Sequence, residues 1–87
     1  GNDEFQMYPN PASGDLWIGL RNSEMSNGPC QLICRDIFGR EALNQFRQHN
    51  EPFDVSGLSP GIYQVEWRSV KNGLLEESEF SAKLLIH

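Results

Sequence analysis

The sequence predicts an all-β fold, a single antiparallel sandwich of about seven strands, on three observations. Gly, Pro, Asn and Ser interrupt the 87 residues at short intervals, and apolar residues alternate between the interruptions. Asn72-Gly73, the strongest short-range hairpin signal, joins two long stretches near the end of the chain. No second regime of composition divides the sequence, and its length suits one domain.

Taken in order, residues 1–4 read as a linker or tag remnant and 5–87 as one sandwich domain. The first strand covers "EFQMY", with Phe5 and Met7 on one face. Tyr8-Pro9-Asn10-Pro11 then breaks the chain. Proline has no N–H to give a sheet ladder, and Pro11 pushes Asn10 toward extended conformations. Residues 15–21 form a second strand, with Leu16, Ile18 and Leu20 on one face and Trp17 on the other. Residues 22–29 are a loop with an Asn27-Gly28 turn signal. In 30–37, Cys30, Leu32 and Cys34 point inward, and Gln31 and Arg35 outward. A turn centres on Gly39.

Residues 41–51 are ambiguous: fair helix formers, with Leu43 and Phe46 three apart but no N-cap ahead of them. We read a strand start over 40–43 and an irregular stretch after it. Residues 52–58 hold a short strand with Phe53 and Val55 on one face. Pro60-Gly61 predicts a type II turn, with Gly61 at positive φ.

A two-residue loop at 72–73 sets Lys71 opposite Leu74, Arg68 opposite Glu77, Val65 opposite Phe80 and Tyr63 opposite Ala82. Tyr63, Val65 and Trp67 then share a face with Phe80, Ala82, Leu84 and Ile86. A slip of one residue would turn that set to solvent. Glu66 would face Glu79, a mild like-charge flaw.

Twelve acidic and seven basic residues give a net charge of −5, with the basic residues scattered. Binding DNA or an anionic membrane needs clustered cations, so neither is expected, and no apolar run approaches the roughly 20 residues of a membrane helix. In a strand, Cys30 and Cys34 lie about 13 Å apart at roughly 3.3 Å per residue, too far for a disulfide. They read as buried free thiols. His49 sits in a polar loop and His87 is the last residue. No nucleophile–base pair, metal set or nucleotide-binding glycine loop is visible, so neither catalysis nor a cofactor is expected. The acidic run at 76–79 reads as a solvated edge. Trp67 falls on the core face. Trp17 falls on the outer face, where an exposed aromatic could stack on a sugar or a partner. An adhesion or carbohydrate-binding module is therefore the alternative reading.

Four stretches in order carry a resemblance: Tyr8 to Pro11; Asp36, Gly39 and Arg40; Ser56, Leu58, Gly61, Ile62 and Tyr63; and Lys83, Leu84, Leu85 and Ile86. They are similar to the type A C-terminal sorting domain of type IX secretion substrates of Bacteroidetes-type bacteria. The chain departs from that pattern in closing on His87, where the family usually has Lys or Arg, and in its longer last hairpin. The resemblance implies a non-catalytic, seven-stranded Ig-like sandwich at the end of a secreted cargo. It implies reading by the type IX translocon in the periplasm, then removal by a cell-surface, sortase-like cysteine protease that leaves the cargo at the surface or outside the cell. It further implies that the proline corner ends the cleavable leader and locks the first strand pair. Recognition would lie in the Leu58–Tyr63 turn and the terminal strand. A C-terminal edge strand offers unpaired N–H and C=O groups to which a partner can add a strand, and an outward Lys83 would give charge specificity. Weak self-association stays open.

Overall fold

Alternation in the sequence becomes eight strand segments in the computed structural model, which describes residues 5–20, 29–48, 51–71, 74–75 and 80–87. They are β1 (Phe5–Tyr8), β2 (Asp15–Leu20), β3 (Pro29–Arg35), β4 (Glu41–Gln48), β5 (Phe53–Asp54), β6 (Gly61–Lys71), β7 (Leu74–Leu75) and β8 (Phe80–Ile86). One sheet runs β1-β2-β5; the other runs β4-β3-β6, with β7 and β8 both pairing β6. Every strand pair is antiparallel. With β7 and β8 taken as one return arm, the count is the expected seven. Residues 1–4, the Asn27-Gly28 and Asn72-Gly73 turns, His49 and the 76–79 acidic run lie outside the described residues.

The two sheets meet over one core. Leu16 comes from β2, Cys30, Leu32 and Cys34 from β3, Phe53 from β5, Tyr63, Val65 and Trp67 from β6, and Leu84 and Ile86 from β8. Burying each of the larger side chains contributes about 1.5–3 kcal/mol. Both cysteines are free and buried, as expected. Burial pushes the Cys34 thiol up to about 12. β2 shows the expected faces: Leu16 is buried, Ile18 packs on the core and Trp17 is 39% exposed.

Four expectations need correction. Residues 41–48 form one continuous strand instead of a strand start and an irregular stretch. Leu43, Gln45 and Arg47 are half-buried, and Asn44, Phe46 and Gln48 are exposed. Pairing with β3 along its whole length decides this, since tertiary context overrides a weak helical preference. The hairpin register holds only at its head, where Lys71 opposes Leu74 and Val70 opposes Leu75. Farther down, Trp67 opposes Phe80, Val65 opposes Ala82 and Tyr63 opposes Leu84, a shift of two residues from the tight-loop register. An even shift changes no residue's face, so Tyr63, Val65, Trp67, Leu84 and Ile86 all stay on the core side. It also moves Glu66 opposite Ser81. The Glu66 carboxylate accepts from the Arg35 and Arg68 guanidiniums. Gly61 takes a positive φ as expected, but at +154, well beyond the roughly +80 of a type II turn, and it opens β6. Gln31 lies on the outer face as expected but is buried. It sits on the central strand between Phe46 and Arg68, whose longer side chains flank it, and its Nε2 donates to Asn44 Oδ1 at 2.8 Å.

Candidate functional site

The terminal strand divides by parity. Leu84 and Ile86 are buried, whereas Lys83 and Leu85 face solvent, with Leu85 44% exposed. A partner can therefore touch only the second pair without unfolding the sandwich.

From the Lys83 carbonyl onward the outer edge of β8 is occupied, which corrects the expectation of an open edge there. Asn10 Nδ2 donates to the Lys83 carbonyl at 3.3 Å, and the Leu85 N–H donates to Asn10 Oδ1 at 3.1 Å. The Ala12 N–H donates to the Leu85 carbonyl at 2.8 Å, and the His87 N–H donates to the Ala12 carbonyl at 3.0 Å. The amide of Asn10 thus stands in for a peptide unit, and Ala12 adds a parallel bridge to Ile86. Pro9 and Pro11, both preceded by cis peptide bonds, have no N–H, so the segment offers no donor there for a further strand. Ala12 is fully buried against the core, while Tyr8, Pro9, Asn10 and Pro11 remain exposed.

The Asp36–Arg40 turn is held by one carboxylate. Asp36 Oδ1 accepts from the Phe38 and Arg40 N–H groups at 2.9 and 3.0 Å, and Oδ2 accepts from Arg40 Nε at 2.9 Å. Desolvation works to raise the Asp36 pKa. The Arg40 and Phe38 hydrogen bonds and the Arg40 charge outweigh it, holding the group below its ordinary value. Gly39 closes the turn at φ +82, a conformation that favours glycine. This wiring throws Ile37 and Phe38 outward, 77% and 75% exposed, with the Arg40 guanidinium 5.2 Å from the Phe38 ring centre.

The 56–63 segment is wired inward. Leu58 packs on the core, and the Tyr63 hydroxyl donates to the Ser59 carbonyl at 2.6 Å. Such a return bond from a strand-start tyrosine is the tyrosine corner seen in Ig-like sandwiches. Leu58, Gly61 and Tyr63 shape the loop, and none presents a large free side chain.

In register across the sheet, Arg35 lies beside Gln64 and Gln64 beside Lys83, while Ile62 faces Leu85. An open groove results, lined by Asp36, Ile37, Ile62, Gln64 and Lys83. The structure therefore brings the Asp36–Gly39 turn, the start of β6, the tail and the proline corner to one end of the larger sheet. Sequence reasoning missed Ile37 and Phe38. An available signal was two adjacent apolar residues at the centre of an Asp-x-x-Gly turn, where solvent exposure is the rule.

No helix among the described residues is long and apolar enough to cross a membrane. A model of the family described as "Secretion system C-terminal sorting domain" matches residues 6–78. No curated protein and no solved structure matches the chain.

Proposed function

Because the chain belongs to the type IX secretion C-terminal sorting domain family, whose members serve as export signals, we propose that its tail and proline corner form one composite address read by the outer-membrane translocon. The carrying observation is the set of four hydrogen bonds between Asn10 and Ala12 on one side and Lys83, Leu85 and His87 on the other. They join two motifs far apart in sequence into one exposed surface of Tyr8, Pro9, Pro11, Lys83 and Leu85. In this reading the domain is recognised in the periplasm as a folded unit, and a cell-surface protease later separates it from its cargo. Recognition falls on Lys83 and Leu85. Asp36, Gly39, Leu58, Gly61, Tyr63, Leu84 and Ile86 act by building the surface.

The test is export of a cargo carrying this domain. Removing 83–87 should leave the cargo in the periplasm, but it also removes core residues. Lys83→Glu with Leu85→Asp, both on exposed side chains, should block export while the domain stays folded by circular dichroism. Export at the parental level for both variants would reject the proposal.

A second reading, polysaccharide binding, draws on one observation. Tyr8 and Trp17 are directly opposed across β1 and β2, 49% and 39% exposed. The Tyr8 ring lies over Gly19, where a Cβ would come within 3.1 Å of it. Saturable quenching of tryptophan fluorescence by polysaccharide, lost on Trp17→Ala, would favour this reading.

A further inference from the structure

We propose that the groove between the Asp36–Arg40 turn and β8 is a docking site for a partner protein segment that offers an apolar side chain beside a carboxylate. This deepens the sorting reading and rests on it, by giving the partner a chemistry.

Two apolar side chains line this groove, Ile37 and Ile62, 77% and 53% exposed. Leu85, 44% exposed, opposes Ile62 across β6 and β8. Contiguous exposed apolar side chains rimmed by polar groups mark docking surfaces. The turn that carries Ile37 is fixed in advance by the three Asp36 side-chain bonds, so little ordering entropy is lost on docking.

Charge selects the partner. The Asp36 carboxylate is committed to its own turn, and Gln64 Nε2 is engaged with Ser81 Oγ at 3.0 Å. That leaves Lys83 as the ionic group at the rim. Among the described residues no carboxylate lies within ion-pair distance of it. In a chain of net charge −5, an ammonium group set among isoleucine and leucine repels cations locally and attracts an anion. A carboxylate next to an apolar side chain satisfies both features of the groove at once.

The test is a titration of the isotope-labelled chain with a short peptide of alternating leucine and glutamate, against its leucine–glutamine counterpart. The methyl signals of Ile37, Ile62 and Leu85 should move with the first peptide. The second should bind about two- to fivefold more weakly, the range of an exposed ion pair. Lys83→Gln should erase that difference. Equal affinity for the two peptides, or shifts confined to other faces, would overturn the proposal. So would the same methyl shifts on simply concentrating the chain, which would assign the groove to a second copy. In cells, Ile37→Ser should impair export of the cargo. Normal export of Ile37→Ser beside blocked export of Lys83→Glu with Leu85→Asp would reject the groove and leave the composite address standing. Normal export of both would reject the address.

Discussion

At one seam of the sandwich the side-chain amide of Asn10 meets β8; at the other the side-chain amide of Gln45 meets β5. Both amides imitate a strand. Gln45 Nε2 donates to the Asp54 carbonyl at 2.7 Å, and the Asp54 N–H donates to Gln45 Oε1 at 3.0 Å. The two seams differ in the backbone next to each amide. Beside Asn10, the Ala12 backbone continues the pairing and its methyl is buried in the core. Beside Gln45, no further strand pairing joins β4 to the smaller sheet among the described residues. A side chain can stitch an edge at one point, but covering it takes backbone. The tail edge is therefore closed from Lys83 to His87, while β4 keeps a long edge that a second strand could join.

The largest effect should come from the buried side of the tail seam. Leu84→Ala should cost about 2–5 kcal/mol in urea unfolding, because it opens a cavity in a fully packed core. The same truncation at its neighbour Leu85 should cost less than about 1 kcal/mol. Equal costs would mean that the tail is not seated by parity.

Next in size is Asn10→Ala, which removes two hydrogen bonds and should cost about 1–2 kcal/mol. Hydrogen exchange should quicken strongly at the Leu85 amide, which loses its acceptor, and less at His87, which keeps the Ala12 carbonyl. Equal acceleration at both would show that the segment lifts as one piece. Gln45→Ala should cost about 0.5–1 kcal/mol and quicken exchange at Asp54 alone.

The smallest effect separates the seams by pH. The Ser56 hydroxyl and N–H hold the Asp54 carboxyl below its ordinary value, opposed by desolvation and helped by Arg47. A lowered native pKa stabilises the fold above the ordinary value of 3.8 and loses that contribution as pH falls through the native value. None of the four tail-seam bonds involves a carboxylate. The amide signals of Asp54 and Ser56 should therefore titrate below pH 3.8, while that of Leu85 stays put. Matching titration at both seams would break the distinction.

Much of the fold was legible because its signals are local. The inward face of β6 follows from period-two alternation, and the turn around Gly39 from that glycine. The β4 strand was not legible, because its residues favour no strand until β3 and its hydrogen bonds lie alongside. The hairpin register was legible only at its head. A two-residue loop predicts the first pair, but no local signal marks the two-residue shift between it and the Trp67–Phe80 pair. Within the candidate site, Lys83 and Leu85 followed from parity. The exposure of Ile37 and Phe38 did not follow, because an apolar pair carries no mark of the side it will take until the turn is built.

The inner faces of β2, β3 and β6, the two free thiols and each of the short motifs could be read from residue order alone. Each depends on neighbours a few positions away. That Asn10 binds Leu85, seventy-five residues distant, and so closes the edge left open by that reading, was settled only when the sheets packed. An asparagine flanked by prolines has the same local chemistry wherever it lies. Which backbone groups it meets depends on how the two sheets stack, and that is a property of the whole chain.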